Sequence, residues 1–404
     1  MNNQKLGLFF KIVLLVICMT SFGAWFFLSF ATPLYKLLFG FFVAIIGVAH
    51  LNYFRFSRQN LTWFLFLLLT TVLSCKGMNL NGYVVAIGGL LPAFLVFGLK
   101  SEFKEDLRHF LTKALGVMIF LSLIWYLLFL VGVNLPHFEY VVSGGDYENQ
   151  YSIYYFFVIK HDGDLLAMLL PRFPFVFYEP GYFGCLMAVL LFLDDYKFDK
   201  KHLENFVFLL SLILSLSLAG IIIGIFGFIA YFIKNSTHKV RWLTLTILVF
   251  GAFYFGVTNY NNGDNLINNA LFSRFEINEN TGTIEGNSRF SSDVSDYFWK
   301  DFIHTSNLFL GLGVEKGGKI LTNDNVDYLS FTIRYGLLAT LFLLYFFYYP
   351  LINNKKGKYN LLCFAVIFIL IFAQGSFSVL WDMNIFFYVL GVNHLLLSNK
   401  FKLE

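Results

Sequence analysis

Apolar runs recur from one end of this chain to the other, and they dictate what it can fold into. A helix needs about 20 apolar residues, or about 17 at the short end, to cross the hydrocarbon core of a bilayer. Such runs lie near residues 7–30, 34–51, 61–75, 83–99, 111–133, 182–193, 206–233, 242–258, 331–349, 360–373 and 383–398. With 58% hydrophobic and only 13% charged residues, the composition excludes an ordinary soluble domain. Lys5 and Lys11 give the N-terminus the look of a signal peptide. Its apolar stretch is too long for one, however, and no small-residue cleavage pattern follows, so it reads as a retained first span.

The run at 206–233 decides the topology. As one helix its 28 residues would measure about 42 Å, against a core of about 30 Å. Lys197, Lys200 and Lys201 precede it, and Lys234, Lys239 and Arg241 follow. The positive-inside rule places both flanks in the cytoplasm. The run is therefore expected to break at Ser217–Gly220 into a hairpin of two short helices. The resulting inside segments hold 19 of the 29 basic residues: those six with Lys5, Lys11, Arg55, Arg58, Lys100, Lys104, Arg108, Lys113, Lys355, Lys356, Lys358, Lys400 and Lys402.

The expected fold is all-α: one transmembrane domain over residues 1–404, with about twelve transmembrane helices and both termini cytoplasmic. Two long outer loops, 134–180 and 259–330, contain short helices. The Ser/Gly apex of the hairpin ends either beneath an outward-facing cavity above Ser215–Gly220 or in a locally thinned membrane.

Both outer loops are rich in aromatics, and loops of this length are commonly functional. The first ends in Pro171-Arg172-Phe-Pro-Phe-Val-Phe-Tyr178-Glu179-Pro180-Gly-Tyr182. Its three prolines exclude a continuous helix, and Pro180 suits the first position of the next span, with Glu179 at the cap. Glu179 then either caps that helix or is a carboxylate held near an arginine at a helix terminus that attracts phosphate. In the second loop, Arg289, Asp293, Asp296, Lys300 and His304 share one helical face, opposite Phe290, Val294, Phe298 and Phe302. This amphipathic helix near 289–304 either lies in the outer interface or is a surface helix laced by pairs such as Arg289–Asp293.

Gly311-Leu-Gly313 lacks the third glycine of a dinucleotide fingerprint and reads as a tight turn. Cys18, Cys75, Cys185 and Cys363 lie in or at the ends of apolar runs, so neither disulfides nor a zinc site is expected. His137 and His161 stand alone in the first loop, without the spacing of a metal site.

Three stretches resemble the O-antigen polymerase (Wzy) family, within the wider polymerase and ligase group. They are Arg172–Gly184 (RFPFVFYEPGYFG), Arg289–Gly313 with its N-x-x-x-G-x-G ending, and Asp324–Thr340 (DNVDYLSFTIRYGLLAT). Ligases of the group carry a histidine eleven residues before the glycine of the last junction, where this chain has Asn325. The arginine-plus-glycine spacing of some polymerases is also absent, because Phe183 and Lys300 stand eleven residues after Arg172 and Arg289.

The resemblance implies a metal-independent, lipid-linked glycosyltransferase of the bacterial inner membrane, without cofactor. It would join undecaprenyl-diphosphate-linked repeat units on the periplasmic face. The implied partners are that substrate, membrane lipid and a polysaccharide chain-length regulator, with no nucleic acid. A ligase, or a flippase of polyprenyl-linked sugars, is the alternative, although the nearly uncharged spans argue against transport. Arg172 and Arg289 suit a departing diphosphate, and Glu179 or His304 suits the base, with Glu179 favoured for its proline-bounded position. Tyr178, Asn325, Asp327 and Arg334 are further candidate substrate-binding residues.

Overall fold

The computed structural model describes residues 7–21, 47–144, 147–161, 171–235, 239–265, 292–321, 328–354, 358–373 and 383–401, with isolated residues between 24 and 45 and Asn268. They are mostly helical and fall into two compact units, Met1–Ala114 with Arg289–Glu404, and Leu115–Ser288. In chain order the first helices are α1 (Leu8–Ser21), α2 (Arg58–Ser74), α3 (Leu80–Gly98) and α4 (Ser101–Leu130). Strands β1 (Phe138–Gly144), β2 (Tyr147–Ile153) and β3 (Val158–Lys160) precede α5 (Pro180–Leu193), α6 (Leu203–Leu214), α7 (Leu218–Asn235) and α8 (Lys239–Asn259). The remainder are α9 (Ser292–Lys300), α10 (Val314–Ile320), α11 (Tyr328–Asn353), α12 (Lys358–Ala373) and α13 (Met383–Phe401).

Every apolar run read from the sequence becomes helix where it lies among the described residues; the run at 34–51 falls largely outside them. Three helices, α4, α7 and α11, are long and apolar enough to cross a membrane. Others are shorter: α5 has 14 residues, α6 has 12 and α12 has 16. Twelve full-length spans are therefore not found among the described residues. The all-α expectation is also corrected. Among the described residues the first long loop holds an antiparallel three-stranded meander where short helices were expected, with Tyr140 opposite Tyr151 and Ser152 opposite Ile159. Its Tyr, Val and Ile residues are good strand formers, and the tightly linked β1–β2 pair satisfies its own backbone groups.

In the first unit, α2 and α11 are joined by Trp63, whose Nε1 donates to the Phe346 carbonyl at 2.9 Å. Its ring packs among Phe97, Phe346 and Tyr388. Helix α11 is not continuous: Gly336 has φ 88° and ψ 164°, a conformation essentially confined to glycine. The amide nitrogens freed at this break, those of Leu337 and Leu338, donate to Leu308 and Phe309 carbonyls at 2.8 and 3.1 Å. Leu312 and Gly313 in turn donate to the Ile333 and Arg334 carbonyls at 2.9 and 2.8 Å. The Asn307–Gly313 motif is thus a strap bonded across the break in α11, and a Cβ on Gly336 would stand 2.3 Å from the Phe309 carbonyl oxygen.

The amphipathic helix of the second loop is shorter than expected. It ends at Lys300, and a separate 3-10 turn carries Phe302–His304, so His304 leaves the polar face. Its apolar stripe holds up: Val294, Phe298 and Phe302 pack with Leu321, Leu329 and Ile333. That stripe is covered by the protein's own chain and is not free to enter a lipid interface. An exposed Lys300–Asp296 ion pair spans one turn of its outer face.

In the second unit the run at 206–233 divides into two helices as expected, but earlier than Ser217–Gly220: the break is Ser215–Ser217, and Leu218–Gly220 open α7. Helices α5 and α7 run parallel. Gly184 meets Gly220, Ala188 meets Gly224, and Phe192 meets Gly227, while Leu212 of α6 lies against Gly224. Helix α6 runs antiparallel to both, and α7 returns against α5, so the lysines before α6 and the lysine ending α7 lie at one end. Gly184 and Gly220 bring the two backbones so close that a Cβ on Gly220 would stand 2.6 Å from the Gly184 carbonyl carbon.

Two substitutions test these packings. Gly220→Leu is expected to cost about 1–3 kcal/mol through overpacking, and an unchanged unfolding midpoint in detergent would contradict the close crossing. Gly336→Ala is expected to release the strap, seen as faster limited proteolysis between Asn307 and Leu312. A cleavage rate equal to wild type would show that the break tolerates a side chain.

Candidate functional site

The segment Pro171–Tyr182 folds as a plug against α5. Phe173, Phe175 and Phe177 are fully buried and all pack on Phe183 of α5. The Tyr126 hydroxyl of α4 donates to the Pro171 carbonyl. These phenylalanines are core residues, so they are not available to stack on a ligand.

Between the buried Pro171 and Phe173, Arg172 turns toward the break in the helical hairpin. Its Nε donates to the Ser215 carbonyl at 3.2 Å, and the Phe173 amide donates to the Leu214 carbonyl at 2.9 Å. The break itself is capped by buried serines. Ser217 Oγ accepts from the Gly220 amide at 3.1 Å, and Ser215 Oγ donates to the Leu212 carbonyl at 2.7 Å. Both segments hold a non-glycine residue in the left-handed region: Phe175 at φ 58° and Leu216 at φ 45°. Strain of this kind concentrates at functional sites.

Glu179 occupies the N-cap position of α5 and Pro180 its first turn, as the sequence indicates. Its side chain, however, makes no capping hydrogen bond, so the simple cap reading fails. Beside it, Tyr178 packs edge-on against Tyr151, with Tyr140 nearby, at centroid distances of 4.5 and 6.3 Å. The Tyr178 hydroxyl is buried and has no hydrogen-bond partner among the described residues. Burial also holds its phenol well above the usual tyrosine range.

A polar cluster missed from sequence sits on the meander. Ser152 Oγ donates to Glu139 Oε1 at 2.7 Å and lies 2.6 Å from His161 Nε2. His137 Nε2 also approaches Glu139, at 3.5 Å. Spacing in the sequence hides this grouping, because antiparallel pairing across a turn is what brings residue 139 opposite 152. His137 and His161 are therefore not isolated; among the described residues no group of three or more His, Cys, Asp or Glu is arranged to hold a metal ion.

The other expected site residues belong to the first unit or lie outside the described residues. Arg289, Asn325 and Asp327 are among the latter. His304 is exposed in its 3-10 turn and makes no side-chain hydrogen bond among the described residues. Arg334 is half-buried next to the Gly336 break, its side chain passing over Gly317 of α10, and its Nε has no hydrogen-bond partner among the described residues. Lys76 Nζ donates to the Gly311 carbonyl, which ties the α2–α3 turn to the same strap.

The structure thus brings Arg172, Tyr178 and Glu179 onto one rigid turn, while His304 and Arg334 stand in the other unit. No family model, no curated protein and no solved structure matches this chain.

Proposed function

We propose that this chain is a multi-pass protein of the bacterial inner membrane that polymerises undecaprenyl-diphosphate-linked repeat units on the periplasmic face. One observation carries the reading: Arg172, next to a turn bearing Tyr178 and Glu179, is anchored to the broken hairpin between α6 and α7. The membrane setting draws support from α4, whose Val117, Phe120, Leu121, Ile124, Leu127 and Leu128 form an exposed apolar face. The twelve-span reading with both termini cytoplasmic rests on the distribution of basic residues along the sequence, and the basic residues sharing one end of α5, α6 and α7 support it. The plug and the hairpin apex then face the periplasm.

The chemistry requires that a sugar hydroxyl attack the anomeric carbon of the growing chain. A new carbon–oxygen bond forms as the bond to diphosphate breaks, and undecaprenyl diphosphate departs with the electron pair. Fixing Arg172 Nε on the Ser215 carbonyl orients the guanidinium plane toward bidentate contact with diphosphate oxygens. Arg289 is the second diphosphate ligand in this proposal. The proton of the attacking hydroxyl passes to Glu179, whose carboxylate is not used to cap α5. Tyr140 and Tyr178, which are half-buried, supply an aromatic edge for the sugars, backed by the buried Tyr151. Asn325, Asp327 and Arg334 remain candidate substrate-binding residues, the first two from the loop before α11.

Single-cysteine variants in a cysteine-free background test the topology. An impermeant thiol reagent on intact cells should label positions 149 and 280 but not 200 or 356. Labelling at 200 without 280 would reverse the orientation.

The surface-glycan ladder of a deletion strain tests the activity. Loss of the chain should leave single repeats, whereas glycan without any repeat would mean ligase or flippase. Arg172→Ala, Arg289→Ala and Glu179→Gln should each fail to restore polymer at normal membrane insertion. Arg172→Lys should restore it only in part, since ammonium offers a point charge in place of a fork, and His304→Gln should cause a partial loss. Full-length polymer from Glu179→Gln beside a dead His304→Gln would move the base to His304.

A further inference from the structure

Three cations line one cavity of the first unit, and none of them forms an ion pair among the described residues. The cavity, about 790 Å³ in volume, is lined in part by Arg55, Lys100 and Lys104. The first two are held there by backbone pairing. The Arg55 amide donates to the Gly98 carbonyl at 2.7 Å and the Lys100 amide to the Tyr53 carbonyl at 3.0 Å, around a bridge between Phe54 and Leu99. Lys104, one turn into α4, is only 5% exposed, and its Nζ donates to the Phe97 carbonyl at 2.9 Å.

Neighbouring carboxylates are engaged elsewhere, Glu105 with Arg108 and His394, and Asp106 with Lys11. Glu102 also lines the cavity but is exposed and forms no ion pair. A buried ammonium with a single neutral acceptor is costly unless an anion joins it. Val389, Val392 and Leu396 of α13 line the same cavity at helical spacing, together with Asn393 of that helix and with Asn353 and Asn354 at the end of α11. The lining thus combines cations, neutral amides and an apolar strip.

We propose that this cavity binds a phosphate carried on an apolar chain, namely the headgroup of an anionic phospholipid of the cytoplasmic leaflet. Arg55 supplies a bidentate fork and Lys104 a point charge at its floor. The cavity lies at the ends of α2 and α4 that carry Arg55, Arg58 and Lys100, which is the cytoplasmic end under the positive-inside rule. The proposal rests on the membrane setting and not on glycan transfer.

The test is native mass spectrometry of the detergent-purified full chain after incubation with phosphatidylglycerol or phosphatidylcholine. Wild type should retain phosphatidylglycerol preferentially, by roughly tenfold. The Arg55→Gln/Lys104→Met double variant should lose that preference. Methionine keeps the packing of the lysine stem, and Asn60 Nδ2 still donates to the Phe97 carbonyl at 3.0 Å, so the variant should fold. Arg172→Ala should retain the lipid like wild type, which separates this site from the glycan reading. Equal retention of both lipids by wild type, or an undiminished preference in the double variant, would overturn the proposal. Displacement by millimolar inorganic phosphate would assign the site to free phosphate and overturn the lipid.

Discussion

A carbonyl released where a helix stops inside an apolar bundle must find a donor, because no solvent is there to supply one. The break between α6 and α7 releases several at once. Ser215 Oγ donates to the Leu212 carbonyl, Ser217 Oγ accepts the Gly220 amide freed at the start of α7, and the Leu214 and Ser215 carbonyls are met by the Phe173 amide and Arg172 Nε. That requirement draws the plug 171–178 onto the hairpin, and the same bonds fix the direction of Arg172. The short serine-rich apex and the arginine-bearing loop are therefore two halves of one hydrogen-bonding problem. The glycine contact between α5 and α7 brings the halves near enough to solve it.

The first unit meets the same requirement with different residues. Helix α11 breaks at Gly336, and the strap Asn307–Gly313 supplies carbonyls to the amides freed there. Glycines at 311, 313 and 336 all adopt positive φ, so this junction forms without steric strain. Arg334 lies at this break as Arg172 lies at the other. Each long loop of the chain is thus anchored where a helix has been interrupted, and each interruption has an arginine beside it.

Much of this was legible from the residues. The length of the run at 206–233 and the lysines on both its flanks were enough to require a hairpin, and the helices divide at the serines as the charges demand. Pro180 announced the start of α5, and Gly311 and Gly313 announced a turn. What escaped the sequence depended on non-local pairing. The Gly145-Asp146 link between β1 and β2 is a hairpin signal present in the residues, but the Glu139, Ser152 and His161 cluster exists only through cross-strand register. The helix expected to reach His304 stops at Lys300, and a 3-10 turn then carries Phe302 into the core with Leu321 and Ile333, so the buried stripe was legible while the helix end was not. Charge counting likewise located the basic end of the first unit but gave no hint that Arg55, Lys100 and Lys104 converge on one cavity.

The contrast between the two breaks bears on which of them is built for chemistry. At α11 the positive φ angles fall on glycines, the inexpensive solution. At the plug and hairpin they fall on Phe175 and Leu216, where each side chain costs on the order of 1–3 kcal/mol of conformational strain. Such residues persist only when their surroundings over-determine them, and here they do: Phe175 is locked among Phe177 and Phe183, and its carbonyl accepts from the Val158 amide at 2.9 Å. A turn held this rigidly from both sides positions the side chains it carries within a narrow range. That rigidity is what a guanidinium and a carboxylate need if they are to meet a developing diphosphate and a departing proton without reorganising. Glycine at position 216 would relax the break, and with it the carbonyl that aims Arg172.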